Sequence, residues 1–342
     1  MRILRIISTL NPEFGGPGVA IIDNSLELIK NGIEVDIATN DPKNSKFYRN
    51  KNLKVFNLGP SISSYAFNLN LLFWLLKNKK NYDKFIIHGI WEFNTFLARI
   101  LLKKNYFVFI HGQLDPFFKK QFLKKIKKQI YWFLFEKKNL VYSKSILLTT
   151  QEEKQLLNKT FVNTREIKKK VVGYGIKRQF YNVKRLQNNF LKNYPLFKKK
   201  QFFLYLGRFH EKKGCDILIE SINRLTKKNI DINLFMVGPN NDYKKYLKKI
   251  TKQKGLNKKI IWSNALSGDL KWGAILSSKA MVLASHGENF GVSVAESLSC
   301  SKPVIITDKV NVHKFIKKFN AGFVTKNNSL SFEKSILDFL KM

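Results

Sequence analysis

The sequence predicts an α/β protein built from two doubly wound domains in tandem. Three observations carry that expectation. Short apolar runs alternate with longer segments of helical periodicity over nearly all 342 residues, the pattern of parallel sheets flanked by helices. The length suits about two domains. The alternation is interrupted at residues 181–200 by a polar stretch holding Lys-Asn-Tyr-Pro and Lys-Lys-Lys, read as a linker. A hydrophobic fraction of 44% and a charged fraction of 25% supply a large core and exclude a disordered or collagen-like chain.

In the first half, expected strands lie at residues 3–7, 34–38, 54–57, 84–88, 107–111 and 146–149. Each is read from a short apolar, strand-like run. Helical periodicity covers 19–31, 67–77, 93–103 and 117–135. In the second half, strands at 202–206, 231–237, 260–262, 280–284 and 303–306 alternate with helices at 216–227, 243–254, 270–277 and 292–300. Ligands of such sheets bind at the carboxyl ends of the strands, so the cleft between the domains is the expected site.

Lys and Arg number 62 against 24 acidic residues, a formal net charge of +38. That surplus suggests nucleic acid or an anionic membrane surface as partner. Only nine of the 62 are Arg, and the chain is rich in Asn, Ile, Phe and Tyr. An AT-rich coding bias gives the same composition, whereas a surface selected to grip phosphates favours Arg. Cys215 and Cys300 form no metal or redox motif and are compatible with a reducing cytoplasm. No run approaches the roughly 18 apolar residues of a membrane span. Arg5 interrupts the first apolar run, which reads as a strand rather than a signal peptide. A cytoplasmic location is expected.

Four constellations fall at strand ends. Gly15-Gly16-Pro17-Gly18 opens the first helix, where glycines let backbone approach a phosphate; a tight turn explains them equally well. Gly207-Arg208-Phe209-His210-Glu211-Lys212-Lys213-Gly214 offers two cations, Arg208 as a fork and Lys213 as a point charge, though a solvated loop is the plain alternative. The segment 285–296 sets Glu288 and Glu296 on either side of a helix start, with amides near Phe290, Gly291 and Val292 suited to an anion and carboxylates suited to sugar hydroxyls. His88-Gly89 and His111-Gly112 end two strands, where imidazoles can polarise a substrate or serve only as buried structural groups.

The combination of Gly207-Arg208 with Lys213-Gly214, Glu288 and Glu296 separated by seven residues around Phe290-Gly291, and Lys302-Pro303-Val304-Ile305 resembles the retaining glycosyltransferases of family 4, the glycosyl transferases group 1. Gly15-Gly16 and His111-Gly-x-Leu-x-Pro resemble the same family's N-terminal domain, more loosely. The resemblance implies a GT-B architecture: two facing Rossmann-like domains, here 1–180 and 201–342, with an interdomain cleft. It implies a nucleotide-diphosphate sugar as donor (UDP- or GDP-linked), no obligatory cofactor, no metal, and retention of configuration. Arg208 and Lys213 would then neutralise the diphosphate, helped by amides at Gly16 and Phe290–Val292. Glu296 would bind the ribose, Glu288 the donor sugar, and His111 would lie beside the transferring sugar or the acceptor. The family's usual employment implies a glycan or lipid-linked acceptor in surface polysaccharide or lipopolysaccharide synthesis.

The chain departs from the family pattern in four places. Ser301 stands where Gly is usual, Lys309-Val-Asn-Val-His313 replaces a Gly-Gly-x-x-Glu segment, and Gly173-Tyr174-Gly175-Ile176 replaces Asn-Gly-Ile/Val-Asp. The chain also ends at Met342, short by about one or two helices, which is expected to weaken domain coupling. The segment 117–135 spaces apolar residues at 118, 122, 126, 130 and 133–134 with Lys between them, an amphipathic helix with a cationic face. It would pack on the core, or contact anionic lipid at the inner face of the cell membrane. The competing readings are a catalytically silent basic protein binding membrane or nucleic acid, and an epimerase or phosphorylase of the same architecture. No helix-turn-helix, RNA-binding aromatic motif or zinc finger supports nucleic acid.

Overall fold

A computed structural model describes residues 1–14, 16–48, 50–114, 122–160, 164–176 and 182–342. Two compact units emerge, Met1–Gly175 and Ile176–Met342. The first runs β1 (Arg2–Ile7), α1 (Gly16–Lys30), β2 (Glu34–Pro42), β3 (Lys54–Gly59), α2 (Leu69–Asn78), β4 (Lys84–His88), α3 (Phe93–Leu102), β5 (Tyr106–Phe109), α4 (Phe122–Tyr131), a π-helical turn (Trp132–Glu136), α5 (Lys137–Val141), β6 (Ser145–Leu148), α6 (Gln151–Thr160) and β7 (Lys169–Val171). Its seven strands are all parallel, in the order β3-β2-β1-β4-β5-β6-β7.

Two apolar layers sandwich that sheet. Leu4 and Ile6 of β1 join Ile87, Val108 and Trp132 on one face; Ile7 joins Ile21, Ile22 and Ile37 on the other. The alternation follows from the two-residue period of a strand, and both faces being covered explains why the strands read as nearly continuous apolar runs.

The second unit runs α7 (Val183–Asn193), β8 (Phe202–Leu206), α8 (Cys215–Lys227), β9 (Asn233–Val237), α9 (Asp242–Gln253), β10 (Ile260–Ser263), α10 (Gly268–Ser277), β11 (Met281–Leu283), α11 (Val292–Ser299), β12 (Val304–Thr307), α12 (His313–Lys318), β13 (Gly322–Thr325) and α13 (Ser329–Leu340). Its six parallel strands follow the order β10-β9-β8-β11-β12-β13. Each sheet therefore has a topological switch point: between β1 and β4 in the first, between β8 and β11 in the second.

Part of the stretch expected as a linker is helical. Asn182 caps α7 by accepting from the Arg185 amide at 2.9 Å, and Leu186 and Phe190 are buried against Phe197, Phe202 and Trp272. Gly273 lets α10 approach, since a β-carbon there would lie 2.3 Å from the Leu186 carbonyl oxygen. Only two side chains of α7 are buried, so its apolar stripe is too narrow to stand out among Lys and Asn. The expected helix over 117–135 lies partly outside the described residues. Its described part is α4 and the π turn, with Ile126, Ile130, Phe133 and Leu134 all exposed.

Candidate active site

The switch point of the second sheet gathers most of the residues singled out there. The loop after β8 carries Arg208 and Lys213, and the loop after β11 carries Glu288. Gly214 lets these loops meet: its φ is +62°, and a β-carbon would fall 1.9 Å from the Ala284 carbonyl oxygen. That approach is stitched by the His286 amide and the Ser285 hydroxyl, each donating to the Lys212 carbonyl at 2.8 Å. Lys213 Nζ then pairs directly with Glu288 Oε2.

Glu288 is held from both sides of its backbone. Its amide donates to the Lys309 carbonyl at 3.0 Å, and its carbonyl accepts from the Asn311 amide at 2.9 Å. The segment 309–313, which replaces the family's glycine-rich one, thus acts as a backbone clamp on the acidic loop. Burial would raise the Glu288 carboxyl, but Lys213, Lys212 and Arg208 outweigh it and hold its pKa below the ordinary glutamate value. Arg208 is exposed, and its carbonyl accepts from the Tyr205 hydroxyl at 2.7 Å, which fixes the loop beneath the guanidinium.

Gly291 stands at the N-cap of α11, and its φ of +71° turns the chain into the helix. The first amides of the helix have no intrahelical partner, so positive potential faces the Glu288 loop. Glu296, one turn inside, is nearly buried and pairs with Lys271 Nζ of α10 at 2.8 Å. Lys271 was invisible by sequence reasoning because one Lys among 53 carries no signal. Ser301, where the family favours Gly, adopts φ +54°, which is the left-handed conformation glycine suits.

In the first unit, Gly16 begins α1, while Gly15 lies outside the described residues. His88 and His111 do meet: His88 Nδ1 and His111 Nε2 are 3.0 Å apart, and His111 Nδ1 is 2.9 Å from the Tyr174 hydroxyl. Burial, then the buried Arg5 guanidinium, push His111 down to about 3, and burial, His111 and Arg5 lower His88 as well. Both imidazoles are therefore neutral at physiological pH. With both ring nitrogens engaged, His111 in this arrangement offers no ring nitrogen to a sugar hydroxyl, and the expected direct contact would need its ring to turn.

At the switch point of the first sheet, sequence reasoning singled out His88 and the early glycines but passed over Ser8 and Glu92. There Ser8 Oγ donates to Glu92 Oε2 at 2.5 Å, and burial raises the Glu92 carboxyl to about 7 against the lowering effect of Ser8. The signal available was positional: Ser8 follows β1 and Glu92 lies four residues beyond β4. No group of three or more potential metal-ligating acids, His or Cys occurs among the described residues.

Comparison with known proteins bears on the fold and on the second unit. The sequence model of the family described as "Glycosyl transferases group 1" matches residues 187–342. The serotype-specific mannosyltransferase WbdA of Escherichia coli is 27% identical over 141 residues, which is 41% of this chain and 17% of that relative. HepE of Anabaena, solved with UDP and glucose, superposes with a TM-score of 0.76 at 16% identity, over 100% of this chain and 91% of that one. WaaG, a glycosyltransferase involved in lipopolysaccharide biosynthesis, gives 0.70 at 14% identity over 99% and 90%. At these identities the structural likeness establishes the fold, and the family match lies over the unit that holds Lys213, Glu288 and Glu296. Residues 187–342 thus carry the likeness to the glycosyl transferases group 1, and the chain as a whole has the GT-B fold.

Proposed function

We propose that the protein transfers a sugar, with retention of configuration and without a metal, from a nucleotide-diphosphate sugar to a glycan or lipid-linked acceptor in surface polysaccharide or lipopolysaccharide synthesis. The observation that carries this reading is the Lys213–Glu288 pair at the switch point of the second sheet, beside the start of α11. In this reading Arg208 and Lys213 bind the diphosphate and the α11 amides add fixed positive potential. Negative charge grows on the diphosphate as the glycosidic bond breaks, so these groups stabilise the transition state more than the ground state. Glu288, kept ionised by Lys213, accepts from hydroxyls of the donor sugar, and Glu296 from the ribose. HepE's complex with UDP and glucose supports a nucleotide-sugar donor by fold analogy.

The exposed apolar residues of α4 and the π turn, interspersed with Lys, support a peripheral seat on the inner face of the cell membrane, close to a lipid-linked acceptor.

A thermal-shift series with UDP-, GDP- and ADP-sugars tests the donor site, because a ligand of the folded state raises the melting temperature. One class is expected to stabilise the wild type, with Arg208→Ala and Glu296→Ala losing that shift; without ligand Arg208→Ala should melt nearly normally, and Glu296→Ala at a lower temperature because it leaves Lys271 unpaired. Undiminished donor stabilisation in both variants would refute the site.

A further inference from the structure

We propose that Glu92 and Ser8 form the anchor for hydroxyl groups of the acceptor saccharide, at the switch point of the first sheet. The inference rests on the glycosyltransferase reading for the identity of the ligand, and on independent geometry for the site.

The switch point lies between the carboxyl ends of β1 and β4, where open parallel sheets bind ligands. Ser8 and Glu92 meet across it. A chain of side-chain hydrogen bonds leads to them from the start of α2. Asn68, whose Oδ1 caps that helix, donates to Asn40 at 3.0 Å; Asn40 donates to Asn94 at 3.2 Å; Asn94 donates to Ser8 at 3.1 Å. All three asparagines are buried. A buried polar chain of this kind is costly unless every member is satisfied, and once satisfied it fixes its last member rigidly. Here the last member is Glu92, whose Oε1 makes no hydrogen bond among the described residues. The chain therefore terminates in a half-buried carboxyl with one oxygen held by Ser8, on the loop that follows β4.

The backbone supports the same assignment. Trp91, directly before Glu92, adopts φ +70°. A bulky residue in the left-handed region is strained, and such strain persists where the surroundings over-determine it, commonly at ligand sites. With Gly89 at φ +95°, Trp91 makes the turn that folds Glu92 back over Gly89, whose added β-carbon would lie 3.5 Å from Glu92 Oε2. A vicinal diol suits this arrangement: one hydroxyl donates to the open carboxyl oxygen and its neighbour reaches Ser8 or the same carboxyl. Neutral carbohydrate, not an anion, is the chemistry that a carboxyl and a hydroxyl recognise.

Saturation-transfer NMR on the full chain tests this, with the methyl α-glycosides of glucose and mannose and the methyl β-glycosides of galactose and N-acetylglucosamine as probes. At least one probe is expected to bind the wild type, with Glu92→Ala weakening it about tenfold or more and Ser8→Ala by a smaller factor. Glu92→Gln, which keeps the shape, should fall between and shows that the fold survives. Equal binding in wild type and variants, or no probe bound by the wild type, overturns the inference. In parallel, thermal shifts with UDP-glucose and GDP-mannose should be unchanged in Glu92→Gln. Loss of the donor shift in the wild type with glycoside binding intact would remove the glycosyltransferase reading alone, so the two fail separately.

Discussion

At the scale of single residues, Glu288 and Ser301 show how backbone and charge prepare the site. Glu288 is ionised because three cations outweigh its burial. A depressed carboxyl pKa stabilises the fold above the unfolded value and loses that contribution as the pH falls through the folded pKa. Glu288→Gln is therefore expected to lose less melting temperature than the wild type between pH 7 and about pH 3.5. An equal loss in both would mean that the Lys213 pair contributes nothing to stability. Ser301 holds φ +54° without the freedom of glycine. Ser301→Gly should stabilise the second unit by about 1 kcal/mol, raising its melting temperature by about 2–4 °C, since relief of left-handed strain exceeds the added chain entropy. A lower melting temperature in this variant would contradict that accounting. Arg208, Lys213 and Glu288 stand out in the sequence because they lie on loops that follow strands marked by apolar runs, and Glu296 because of its spacing from Glu288. Lys271 and the Asn40–Asn94–Ser8–Glu92 chain do not, because their partners are brought together by strand order, which spacing along the chain does not encode.

At the scale of elements, the strands were the most legible feature. Runs such as Phe202–Leu206 are apolar on both faces, and covered parallel sheets demand that. Strands β7 and β13 escaped notice: β7 is three residues beginning Lys-Lys, and β13 is a four-residue edge strand. Within the stretch expected as a linker, two buried side chains, Leu186 and Phe190, tie α7 to the second unit, and so few apolar positions leave little trace in the sequence. Helix α4 and the π turn after it depart from the ordinary amphipathic plan in the other direction. Ile130, Phe133 and Leu134 are each more than half exposed rather than turned into a core. Sedimentation with vesicles is expected to carry the protein down with anionic phosphatidylglycerol and much less with phosphatidylcholine. Replacing Ile130, Phe133 and Leu134 by Ser should reduce binding, and added salt should weaken it. Binding indifferent to lipid charge and to salt would remove the membrane role.

At the scale of the molecule, both units share one plan: parallel strands, a chain reversal at one switch point, and polar loops at the carboxyl ends of the two strands beside it. The second unit places cations and a helix start there, the first a carboxyl, a hydroxyl and a buried amide chain. The fold class was legible because alternation of strand and helix is periodic over hundreds of residues, whereas the net charge of +38 was not diagnostic, being carried mainly by Lys. The most direct test of the central claim is a crystal of the protein soaked with the nucleotide sugar that stabilises it. The account predicts diphosphate density within hydrogen-bonding distance of Arg208 or Lys213 and the start of α11, with the sugar hydroxyls on Glu288. Ordered nucleotide density bound elsewhere, with Lys213 and Glu288 still closed on each other, would contradict it.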